Sequence, residues 1–193
     1  MGIARPHHAL TAAALAVAIL TGCSSSDGSG GSPGGTGDPS PAASGSRIPS
    51  VPPASPAGRG AVVVGGTTSS FAVTACRLEP DPAEPEGARS LLELDGAGTT
   101  SSGVPFTVKV QRFATGTAVV TYTDTVTYSD AARILQAQRI EVGGQVTDLR
   151  DPDASSALLR LREGGLSTAG LAGGPGDGPD DEGIIGIALD ASC

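Results

Sequence analysis

Three cysteines, two histidines and one lysine are the scarcest reactive side chains of this 193-residue sequence, and their positions set its chemistry. Both histidines, His7 and His8, stand at the front, before an apolar run. A Ser-His-Asp or Cys-His relay needs an imidazole to carry its proton, and the chain offers none after residue 8. Histidine-ligated metal sites are missing for the same reason. A Ser-Lys pair would have to use Lys109, which the sequence alternation places on the polar face of a strand. Asp124 and Asp130 could form the carboxylate pair of a glycoside hydrolase, but both read more simply as surface acids. Asp177, Asp180, Asp181 and Glu182 could gather oxygens around Ca²⁺, yet they lack the ordered spacing of a calcium loop and read as a solvated acidic loop. Neither a P-loop nor a dinucleotide fingerprint is present. The expectation is a non-enzyme without metal or cofactor.

The first cysteine belongs to another kind of chemistry. Arg5 and the amino terminus precede a run of Ala, Leu, Val and Ile from Ala9 to Leu20. Twelve residues are too few to span a bilayer, which takes about 20. A charged start, a short apolar stretch and small residues make a secretory signal peptide over residues 1–22. It ends in Leu20-Thr21-Gly22-Cys23, which resembles the lipobox of bacterial lipoproteins. The resemblance implies diacylglycerol on the Cys23 thiol, cleavage before it and acylation of the new amino group, a palmitate-bearing anchor on the outer face of the cytoplasmic membrane. Two or three acyl chains give a lasting anchor where one binds only reversibly. The alternative is an ordinary secreted protein with a chance cysteine.

From Ser24 to Arg59 the chain is mostly Ser, Gly, Pro, Ala and Asp, a composition that buries too little to offset its ordering entropy. Residues 23–59 are therefore read as a lipidated cysteine on a disordered tether, with a mean reach of roughly 30–35 Å. Its "RIPSVPPASP" half is stiffened by proline. Loss of residues 1–22 removes Arg5 from the 12 basic residues and none of the 20 acidic ones, for a net charge of about −9. Such a surface repels phosphate backbones, so nucleic acid is not an expected partner.

Residues 60–193 are of single-domain size and hold Cys76 and Cys193. In an oxidising compartment these two are expected to pair, closing a loop of more than 100 residues. A free reactive thiol at Cys76 is the alternative, but no histidine or lysine is near in sequence to activate it. The dominant hydrophobic period is two. Val104, Phe106, Val108 and Val110 alternate with Thr107, Lys109 and Gln111; Val120, Tyr122, Val126 and Tyr128 alternate with a row of threonines. That is the pattern of antiparallel strands with one solvated face. Further strands are expected at 61–64, 70–78, 91–94, 140–142, 146–149, 158–162 and 183–193, with "DGAGTTSSG" among the turns. In "SDAARILQAQRI", Ser129 as N-cap, Asp130 in the first turn and Ala131, Ile134, Leu135 and Gln138 at helical spacing predict one short helix over 129–139, with a further strand as the alternative.

The fold class expected is thus mainly β, an antiparallel sandwich or half-barrel-like sheet with one short helix and one disulfide. The lipobox, the tether, an early strand cysteine in "AVTAC", a closing one in "IALDASC" and the Gly-containing "IEVGGQVTD" together resemble the LpqH-like family of mycobacterial and other actinobacterial surface lipoprotein antigens. The Asp/Pro-rich loop at 173–183 and the helix after Tyr128 depart from that family. The resemblance implies an acylated, surface-displayed antigen, recognised by host receptors through its lipid, with no catalysis by its folded part. The resulting expectation is a monomeric, lipid-anchored envelope protein with a non-catalytic binding or display domain. A carrier of a lipid or other apolar ligand is the alternative, its ligand face made by Phe106, Val108, Tyr122, Ile134 and Leu135.

Overall fold

Alternation of apolar and polar side chains along nearly every segment after residue 58 leaves the backbone one economical solution, an antiparallel sheet with one face inward. The computed structural model describes residues 48–80, 84, 87–178 and 181–193. Its ten strands are β1 (Arg59–Val64), β2 (Thr67–Arg77), β3 (Ala88–Thr99), β4 (Pro105–Thr115), β5 (Thr121–Asp130), β6 (Ile134–Val142), β7 (Gln145–Asp148), β8 (Leu159–Arg162), β9 (Gly165–Ala172) and β10 (Ile185–Ser192). They form one sheet in the order β7-β6-β5-β4-β3-β2-β1-β10-β9-β8, every neighbouring pair antiparallel.

The sheet curls into a half-barrel. Its two flanks meet at a bridge between Gln136 of β6 and Gly173 just after β9, where each backbone N–H donates to the other's carbonyl at 2.8 and 3.2 Å. The enclosed core includes Val62, Phe71, Leu92, Leu94, Val110, Val126, Leu166, Ile187 and Leu189. Tight curling needs small residues beneath the large ones. The Phe71 ring lies against Gly60 and Gly96, and the Phe106 ring against Gly98, so closely that a Cβ at any of the three would collide with it. This explains why "DGAGT", expected as a turn, continues β3 to Thr99.

No helix occurs among the described residues, so the helix expected over 129–139 is corrected to a tight hairpin and a strand. Asp130 Oδ1 does accept the backbone N–H groups of Ala132 and Arg133, at 2.9 and 3.0 Å, much as a helix cap would. The chain then reverses, because β6 finds a full partner in β5: Tyr128 faces Leu135, Val126 faces Ala137 and Asp124 faces Arg139. A strand not anticipated at all is β9, whose "GLSTAGLA" is built from small residues. Gly170 sits against Leu158, so a larger side chain there has no room.

Low on the inner face, a ladder of charge crosses four strands. Arg112 of β4, Asp124 of β5, Arg139 of β6 and Asp148 of β7 are successive register partners. Arg112 grips Asp124 through two N–H···O contacts of 2.6 and 2.8 Å. Arg139 contacts Asp148 at 3.0 Å and donates to the Ser156 carbonyl. Asp124, Arg139 and Asp148 are all about 5% exposed, so Asp124 is a buried partner rather than the surface acid expected.

Cys76, on β2, is bonded to Cys193 with their Cα atoms 5.8 Å apart. The bond joins β2 to the end of β10 past the start of β1, the strand lying between them. Within residues 47–56, read from composition as the stiff part of the tether, Ser55 is fastened to β10. Pro52 is buried, and the Ser55 N–H donates to the buried Asp190 carboxylate at 2.7 Å, which also accepts from Arg162.

Two measurements follow. Reduction should lower unfolding free energy by about 5 kcal/mol for a loop of this length, with a separation of 117 residues; two titratable thiols in the unreduced, folded chain would contradict the bond. Asp148→Ala takes from the buried Arg139 its nearest carboxylate and from the Arg150 and Asp151 N–H groups their acceptor, and should cost about 3–5 kcal/mol, while Arg139→Met with Asp148→Leu removes the uncompensated charge and recovers only part of it. Urea unfolding at pH 7 reads both variants.

Candidate binding site at the hairpin end of the half-barrel

Three hairpin turns gather at one end of the half-barrel, since alternate strands run the same way. Gly65 and Gly66, both at positive φ (55° and 83°), make the two-residue β1–β2 turn, a conformation suited to glycine. In the β3–β4 turn, Thr100 Oγ1 accepts the Val104 N–H at 3.1 Å and lies 2.9 Å from Ser102 Oγ. The β5–β6 turn is the Asp130 clasp already described.

Between these turns opens a cleft of about 410 Å³. Val62, Val64, Val104 and Tyr128 contribute its apolar part, and Thr67, Ser69, Thr100, Ser101 and Ser102 its hydroxyls. Asp130 and Arg133 are the two charged groups in the lining, 3.7 Å apart. Tyr128 is buried, stacks on Phe106 with centroids 5.3 Å apart, and lies on the same side of β5 as Asp130, two residues on, whose carboxylate influences its hydroxyl. Burial first, and that carboxylate second, push its phenol above the ordinary tyrosine pKa. The Ala132 N–H, together with the Arg133 N–H and the Tyr128 hydroxyl, holds Asp130 below the usual carboxylate range.

The side chains expected to form a ligand face are placed differently. Phe106, Val108 and Leu135 are buried in the core. Tyr122, half-buried, lies toward the opposite end of β5, opposite Ala114 and Glu141. Ile134 is 50% exposed on the outer face, since neighbours on a strand point to opposite sides. These five therefore do not make one surface. Tyr128 and the hydroxyl-rich stretches 67–70 and 99–102 were the available signal for the cleft; as sequence they read as core and turn.

The remaining candidates have structural partners. Lys109 lies on the outer face between Glu93 and Asp95, 3.2 Å from the latter. Its hydrogen bond to Glu93 raises its pKa, opposite to what a Lys base in a Ser-Lys pair needs. Asp177 accepts the Gly174 N–H at 2.6 Å and Asp181 accepts from Gly178, each closing its own turn; Glu182 is exposed. Asp180 and Cys23 lie outside the described residues. Among the described residues no three His, Cys, Asp or Glu side chains group to hold a metal ion. Neither the protein-family models, nor the curated proteins, nor the solved structures compared with this chain match it.

Asp130 ties the β5–β6 turn to the cleft, so Asp130→Ala should lower stability by about 1 kcal/mol, as loss of a cap does. A depressed folded-state pKa stabilises fully above the unfolded value of about 3.9 and loses that contribution as pH falls through the folded one. Thermal melts from pH 7 to 2.5 should show a shallower acid-side decline for the variant than for the parent; parallel declines would exclude this role.

Proposed function

We propose that the chain is a lipid-anchored protein of the bacterial envelope whose half-barrel is a non-catalytic binding and display domain. The cleft at the hairpin end carries the reading of the domain: an apolar floor, a hydroxyl rim and charged groups already occupied with one another suit recognition rather than bond-making. Pockets of this kind, with a few polar groups fixing orientation over an apolar base, are the usual form of small-molecule sites. The absence of histidine after residue 8 and the protonated, carboxylate-bound Lys109 argue in the same direction.

The anchor rests on Leu20-Thr21-Gly22-Cys23 following a short apolar run. Membership of the LpqH-like surface lipoproteins rests on that motif with the Cys76–Cys193 closure. In such a protein the acylated cysteine holds the domain at the outer face of the membrane, and segment 24–47 separates the two. A carrier of a lipid or apolar ligand is the second reading. Val62, Val64 and Tyr128 at the cleft favour it, whereas the filled core beneath them leaves a long acyl chain no path inward.

Labelling with radioactive palmitate in an actinobacterial host tests the anchor. The parent protein should take up label and enter the detergent phase on phase partitioning. Cys23→Ala should accumulate as unlabelled precursor. Equal labelling of the two would refute the anchor.

A further inference from the structure

Building on the reading of the half-barrel as a binding domain, we propose that the cleft takes a neutral glycosyl group, with a C–H face of the sugar on Val62, Val64 and Tyr128 and its hydroxyls on the rim. Charge decides first. Asp130 accepts two backbone N–H groups and lies beside Arg133, so it has little left for a cation. Arg133 is the one cation in the lining, and Asp130 offsets it, in a chain whose net charge is −8. A phosphate or carboxylate head wants several donors or a guanidinium free of other anions. The cleft therefore favours an uncharged occupant.

Hydrogen-bonding capacity decides next. The side-chain hydroxyls of Thr67, Ser69 and Ser101 make no hydrogen bond to protein among the described residues and stay free to meet a ligand, Thr67 and Ser101 being exposed and Ser69 half-buried. Each hydroxyl can donate one bond and accept two, and a sugar hydroxyl has the same double capacity. A wholly apolar occupant would leave these groups without partners wherever it displaced water, at a cost. A fully polar one would waste the valine and tyrosine floor. A sugar ring satisfies both, being apolar across its C–H face and polar at its edge. The volume of about 410 Å³ accommodates a small ligand, within the roughly 300–1,000 Å³ of ordinary ligand pockets.

The sugar could end a polysaccharide or head a lipid, and the probes separate these sources. The chain from residue 23 onward, carrying Cys23→Ala and labelled with ¹⁵N, is titrated with maltose, with octyl β-glucoside below its micelle concentration and with octyl phosphate. Saturable shifts of the Val64, Ser69, Ser101 and Arg133 amides are expected with octyl β-glucoside, and at least about tenfold weaker ones with octyl phosphate. Maltose binding within about threefold of octyl β-glucoside identifies a glycan; much weaker maltose binding identifies a glycolipid head. Ser69→Val with Ser101→Ala should weaken sugar binding at least about fivefold, since two hydroxyl partners are lost, while leaving the dispersed spectrum of a folded domain. Ser69→Phe, which fills the cleft, should abolish it. Equal binding of octyl phosphate and octyl β-glucoside would overturn the sugar and favour an apolar-ligand carrier. Silence of the cleft amides with all three probes would overturn the site while leaving the palmitate result, and so the anchor, standing.

Discussion

Closure of the half-barrel depends on a buried row of alternating charge. Arg112, Asp124, Arg139 and Asp148 stand side by side on β4 to β7, each acid between or beside arginines. Burying such groups gains little stability over well-packed apolar ones, but mispairing any of them is costly. Their effect is on register. A one-residue slip of β6 would turn Arg139 outward and leave the buried Asp148 without its guanidinium partner in a dry interior. Once this row is fixed, the rows above follow: Val110, Val126 and Ala137, then Val108, Tyr128 and Leu135, and finally Asp130 at the turn beside the cleft. The geometry of the cleft is thus set from the other end of the sheet.

The second constraint is the shortage of aromatic residues. Five Phe and Tyr side chains serve the whole chain, yet three of them, Phe71, Phe106 and Tyr128, suffice at the centre of the barrel. Glycines beneath the rings make this possible. Phe71 covers backbone at Gly60 and Gly96, so one ring replaces the side chains that three positions would otherwise supply. Glycine in a strand ordinarily weakens it; here the ring laid across it shields the ladder hydrogen bonds from water.

Period-two alternation made most of the fold legible in the sequence. It indicated β1, β2, the middle of β3, β4, β5, the end of β6, β7, β8 and β10, and the two thiols of residues 60–193 indicated their own bond. It failed where the inward residues were not large and apolar. On β6 the inner face is Leu135, Ala137 and Arg139, so the alternation is hidden by an alanine and a charge, and a helical spacing fits as well. On β9 the inner face is Leu166, Thr168, Gly170 and Ala172, small because Leu158 packs over it. Asp124 looked like a surface acid because its partner lies on a neighbouring strand, 12 residues away. The cleft was hidden for a related reason: three separate turns build it, and no local pattern announces their meeting.

Ahead of the sheet, Ser55 is held to β10 by Asp190 and Ser192. Immediately afterward the chain enters β1, flanked by β2 and β10, which Cys76 and Cys193 lock together. Mechanical load arriving from the amino-terminal side therefore meets the Ser55 clasp before any sheet hydrogen bond. Beyond it, the pull reaches a strand clamped between two covalently joined neighbours. A domain fastened in this way yields at its clasp before its sheet, so a pull on the amino-terminal segment is absorbed without opening the barrel.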